Sequence, residues 1–149
     1  MDRRAFLSSS ATLTAGLSGC LTLGGSAEEY DVGMSDSRFL PGEYHVSPGT
    51  TVVWKNTSAR AHTVTAYDAS LPDGAAYFAS GDYDSEDAAR EAWFESGGGA
   101  IYSGETYAHT FEQPGTYPYV CLPHEAEGMD GMIVVSEDEA TTGGESRAR

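Results

Sequence analysis

With 149 residues, 8 Lys and Arg against 23 Asp and Glu, and a formal charge of −15, the chain is one domain with extensions, long enough for a single core. Lys55 is the only lysine, and so acidic a balance argues against nucleic acid or an anionic membrane surface as a partner. Such charge repels itself at ordinary ionic strength. At molar salt the Debye length falls to about 3 Å, so the composition fits a protein made for concentrated brine.

The first residues read as an address. Asp2-Arg3-Arg4-Ala5-Phe6-Leu7 has the form of a twin-Arg export signal, followed by an apolar run too short and polar to span a bilayer. It ends in Leu17-Ser18-Gly19-Cys20, a lipobox-like pattern. The expectation is a signal peptide over residues 1–19, a lipidated Cys20 and a tether over 20–30. That would place the protein on the outer face of the cell membrane, held by a lipid anchor.

Residues 31–136 carry the domain. Tyr30–Met34 is a weak strand signal and Glu43–Val46 a better one. Ser47-Pro48-Gly49 marks a tight turn, and Thr50–Lys55 is a β-branched and Trp-containing strand closed by Asn56-Thr57-Ser58. His62–Tyr67 reads as another strand with His62 at its mouth. His45, remote from any ligand spacing, reads as a surface or packing residue.

Residues 68–104 interrupt the strand pattern. Leu71-Pro72-Asp73-Gly74 is a turn, and Asp84–Phe94 a short helix capped by Asp84 or Ser85. Ala88, Ala89, Ala92 and Trp93 fall at helical spacing and would seat it. Ser96-Gly97-Gly98-Gly99 ends it. The aromatics Tyr77, Phe78, Trp93 and Phe94 are expected mainly in packing. Strands resume with Thr106–Phe111 and, after Gln113-Pro114-Gly115, Thr116–Val120; Met132–Val135 closes the domain. His109, inside a strand, is expected to pack. Residues 137–149 read as a disordered acidic tail.

The chemistry concentrates in Cys121–Met132, where a thiol, an imidazole and two thioethers fall within twelve positions. Two His, one Cys and a long, weak axial Met form the ligand set of a blue-copper electron-transfer site. Cys121 and His124 stand in C-x-x-H spacing, and His62 is the best second imidazole. Met129, freed to turn back by Gly128, competes with Met132, which starts the apolar run Met-Ile-Val-Val. Zinc is the chemical rival, but it has no use for thioether, and no further Cys or His pair completes a zinc site. Of two cysteines in an exported chain, one lies in the leader and one among the ligands, so no disulfide is expected.

The stretch resembles the copper loop of plastocyanins, and the whole chain resembles halocyanins, small blue copper proteins of halophilic archaea. The upstream match is Val53-Trp54-Lys55-Asn56-Thr57-Ser58-Ala59-Arg60-Ala61-His62, with Ala61 where the family often has Pro. The resemblance implies an all-β Greek-key sandwich, the cupredoxin fold, with a short helix in a crossover insertion. It implies Met129 as the axial ligand and one copper per chain, held by His62, Cys121, His124 and Met129. It also implies a single-electron carrier, not an enzyme. Electrons would pass at His124, with Leu122 and Pro123 in the apolar patch that docks membrane-bound redox proteins. A monomer is expected. A copper-storage or delivery lipoprotein is the alternative, and an oxidase would need further His pairs.

Overall fold

The computed structural model describes residues 29–137. The proposed signal peptide, Cys20, most of the tether and nearly all of the acidic tail lie outside them. Among the described residues are eight strands: β1 (Val32–Met34), β2 (Phe39–Leu40), β3 (Glu43–Val46), β4 (Thr50–Asn56), β5 (Thr65–Ala66), β6 (Thr106–Phe111), β7 (Gly115–Val120) and β8 (Asp130–Val135). One helix, α1 (Glu86–Ser96), lies between β5 and β6.

The strands form two four-stranded sheets, ordered β2-β1-β4-β6 and β3-β8-β7-β5. Only β1–β2 and β7–β8 connect neighbours within one sheet; every other connection crosses between sheets, as in a Greek-key sandwich. Two pairs are parallel, β1 with β4 and β3 with β8.

Alternation explains the layers. Along β4, Val52, Trp54 and Asn56 are buried while Thr51 faces water and Val53 and Lys55 are half-covered. Trp54 is the hub, edge-on to Tyr119 at 5.4 Å and stacked on Phe78 at 6.1 Å. Phe111, Tyr117 and Ile133 complete the inter-sheet packing. Truncating a ring so enclosed typically costs about 3–5 kcal/mol.

The expected helix forms, starting and ending two residues later than read. Ser85 caps it by accepting from the Ala88 amide at 3.1 Å, Glu86 and Asp87 occupy the first turn, and Gly97 ends it at φ 74. Ala89 is its buried residue, whereas Phe94 is 70 % exposed. Phe78, by contrast, enters the core. The strands differ from expectation most in three places. The two-residue β2 was not foreseen. The stretch read as His62–Tyr67 keeps only Thr65–Ala66 as strand, because His62 pairs instead with Ile101 of the insertion. The last strand begins at Asp130, and Gly131 permits this by meeting the Tyr119 ring, where a Cβ would lie 2.6 Å from the hydroxyl.

Candidate metal centre

Strand register brings the site together at one end of the sandwich. Thr65 pairs with Val120, and Val120 with Asp130, so the start of β5, the end of β7 and the start of β8 are side by side. Met34 pairs with Asn56, which adds the ends of β1 and β4 to the same rim. The loops 57–64 and 121–129 must therefore converge.

His62, Cys121 and His124 meet there. The Cys121 Sγ lies 3.4 Å from His62 Nδ1 and 3.5 Å from His124 Nδ1. Their ligand atoms all fall within 4.8 Å of one another, the only such cluster of His, Cys or carboxylates among the described residues. Donors held at roughly 2.0–2.3 Å from one ion, and 109–120° apart, sit roughly 3.5–3.8 Å from each other. The observed spacing fits one small ion. All three are buried: His62 and Cys121 have no exposure, and His124 has 5 %.

Met129 is buried as well, in the same core cluster as Cys121, and its carbonyl accepts the Cys121 amide at 3.0 Å. Gly128 precedes it at φ 82, a left-handed conformation that returns the chain toward the site. Met132 lies inside β8 opposite Glu43 and Pro118. The loop between Cys121 and Met129 is a 3-10 segment, Leu122–Glu127, with Pro123 in its first turn and His124 kinked out at φ −123 and ψ 22. Leu122 is 5 % exposed and Pro123 half-buried.

The two imidazoles are in the right protonation state for metal, whereas the thiol has still to lose its proton. Burial, then the neighbouring His124 and Arg60 charges, hold His62 down at about 4. Burial and Arg60 also lower His124. Both imidazoles are thus neutral at pH 7, as ligands must be. Burial pushes the Cys121 thiol up to about 11 against the pull of backbone hydrogen bonds from Thr63 and His124. A coordinated cation reverses that preference, since a metal-bound thiol is deprotonated outright.

Supporting groups not singled out in the sequence orient the ligands. With Nδ1 aimed at Cys121, His62 Nε2–H donates to Ser58 Oγ at 3.0 Å, and the Ser58 hydroxyl donates to Asn56 Oδ1 at 2.8 Å. The Asn56 amide in turn donates to the carbonyls of Arg60 and Ile101, at 2.6 and 2.8 Å. Such outer partners fix the tautomer and the ring plane. Thr63 ties the two ligand loops by accepting the Leu122 amide at 2.9 Å. A hydroxyl four residues before a ligand His was the available signal for Ser58. On the outer side Arg90 grips Glu125 and holds its carboxyl below the usual range.

The other histidines stay apart. His45 accompanies Glu43 at 2.7 Å, and His109 stacks on Phe78 at 4.9 Å. Both are packing or surface residues, as expected.

Residues 27–136 match the family model described as copper binding proteins of the plastocyanin/azurin family. Plastocyanin of Vicia faba is 32 % identical over 107 residues, covering 70 % of this chain and 96 % of the relative. The chloroplastic plastocyanin of Hordeum vulgare is 30 % identical over 122 residues, covering 79 % and 70 %. Among solved structures, an amicyanin variant in its reduced Cu(I) form superposes with a TM-score of 0.53 at 27 % identity, covering 73 % of this chain and 83 % of that one. With its cupredoxin sandwich and a donor set fit for one copper, the chain belongs to the plastocyanin/azurin family of copper-binding proteins.

Proposed function

We propose that the protein is a single-electron carrier in which His62, Cys121 and His124 would hold one type 1 copper, with Met129 as the weak thioether donor. The observation that carries this reading is the buried convergence of one thiol and two Nδ1 atoms, within 4.8 Å, on loops pinned by strand register. Copper bound there supplies a one-electron couple. Cys121 gives up its proton on loading and stays shielded from water. His62 and His124 arrive neutral and already oriented, so little needs to move when charge changes. Leu122 and Pro123, beside His124, close the site from solvent.

Loading the purified protein with copper and recording its visible spectrum during a redox titration tests the reading. One copper per chain, an intense blue band and a one-electron transition are expected. A colourless protein that holds only Cu(I) would instead indicate storage or delivery. Several coppers per chain would indicate an enzyme.

The finer proposal is a halocyanin-like carrier, exported by the twin-Arg route and lipid-anchored at Cys20 on the outer face of a halophile's membrane. The leader motif and the −15 charge support it. Cys20→Ser should release the protein into the medium with its colour intact; full membrane retention would count against anchoring. Raising KCl to molar levels should raise the unfolding temperature by several degrees, since screening relieves carboxylate repulsion. A flat response would remove the case for brine. Membrane-bound redox partners would dock at Pro123, Leu122 and His124. Pro123→Glu should then slow electron exchange with membranes while sparing exchange with a small soluble reductant.

A further inference from the structure

The insertion between β5 and β6 supplies none of the four proposed ligands, yet it touches both ligand loops. At its end, Ile101 exchanges backbone hydrogen bonds with His62, at 2.7 and 3.2 Å. In its middle, α1 presents Arg90 to the loop that carries His124. Arg90 Nη1 and Nη2 donate to Glu125 Oε1 and Oε2 at 2.8 and 3.0 Å, a two-pronged grip on the residue next to His124. Its Nε donates to Glu86 at 2.8 Å, so all three guanidinium nitrogens are engaged. Glu86 is itself fixed, since its other oxygen accepts the Asp68 amide at 2.9 Å and its own amide donates to Asp68 at 2.8 Å. Tyr67 donates to Glu125 from the strand side at 3.3 Å.

The loop needs such help. His124 breaks the 3-10 geometry, and the hydrogen bonds that flank it are long: His124 N to Cys121 O is 3.2 Å, and Met129 N to His124 O is 3.3 Å. The other ion pair on this loop, Arg60 to Glu127, is a single 3.4 Å contact with both side chains nearly half exposed. Isolated exposed pairs of that kind contribute little, whereas bidentate pairs inside a network hold their geometry.

We propose that Arg90 is a positioning residue for the metal centre: through Glu125 it clamps the 122–128 loop to α1 and so sets the orientation of His124. The insertion then acts as a splint between the two imidazoles. This rests on His124 being a ligand, as proposed above.

The test compares Arg90→Met, which keeps the stem, with Arg90→Lys, which keeps the charge but cannot make the fork. In the copper-free protein, amide exchange at Gly128 and Met129 should speed up about tenfold in Arg90→Met while β7 and β8 stay unchanged, with Arg90→Lys between the two. In the copper-loaded protein the Cu(II) spin-resonance spectrum should broaden or split into more than one species. Unchanged exchange overturns the proposal, as does acceleration shared equally by the strands. Local loosening with an unchanged copper spectrum overturns it too. Should Arg90→Met fail to fold, Glu125→Gln breaks the same fork and is read in the same way. If the native protein shows no blue copper spectrum, the electron-carrier reading falls, while the copper-free exchange still judges the clamp.

Discussion

The two imidazoles reach the same point by different means. His62 has no exposed surface, is hydrogen-bonded to Ile101 on both backbone groups, and rests its Nε2 on Ser58. His124 sits on a kinked 3-10 segment at the rim, 5 % exposed, with Glu125 tied to Arg90 beside it. The first is part of the scaffold and the second is on a closure laid over it. A carrier of the kind proposed would gain from this asymmetry. A fixed inner ligand limits rearrangement, and an outer ligand near the surface shortens the path for an electron.

The largest effect comes from deleting each ring. His62→Gly and His124→Gly should both lose the blue band. Added imidazole at millimolar concentration should restore colour to His124→Gly, because the vacated space opens near the surface. It should not restore His62→Gly, whose gap would be enclosed. Equal rescue of both, followed by absorbance, would mean that the inner and outer positions do not differ.

A smaller effect separates the supports. Ser58→Ala removes the acceptor on which His62 Nε2 rests, and outer-partner losses of this kind cost about 10–100-fold in metal affinity. His62 keeps its backbone bonds to Ile101, so the loss should sit at the lower end, about tenfold, in a competition titration. No change in affinity would show that Ser58 does not support the ring.

The asymmetry also marks what sequence alone could show. The C-x-x-H spacing, the strand before it and the helix cap are local; the strand is present, and the cap falls on Ser85, one of the two residues read for it. The mouth of β5 is not local. His62 belongs to a bridge with Ile101, 39 positions further on, and no periodicity in either stretch announces that pairing. The Arg90–Glu125 grip spans 35 positions between a helix and a loop, and neither residue type is distinctive. β2 is two residues long, below any pattern, and is held by pairing with β1. Phe94 shows the reverse failure: an apolar residue in a helix suggests burial, but its direction depends on how α1 docks.

The smallest effect concerns the two methionines that follow His124. Met129 is buried beside Cys121 in the core cluster, and its carbonyl holds the Cys121 amide. Met132 is two positions inside β8, half-covered, and paired with Pro118 and Glu43. An axial thioether bond is long and weak, so replacing it retunes a copper site without emptying it. Met129→Gln should therefore keep a coloured, copper-loaded protein while lowering its potential and shifting its spectrum, read by voltammetry and absorption. Because the main-chain bond to Cys121 survives the substitution, the thiol should stay in place and any change should come from the side chain. Met132→Leu is nearly volume-conserving and should cost less than about 1.5 kcal/mol of stability, with the spectrum unmoved. A spectrum that follows Met132 and ignores Met129 would move the axial ligand out of the closing loop and into the last strand. In that case Gly128 turns the chain for some purpose other than ligation.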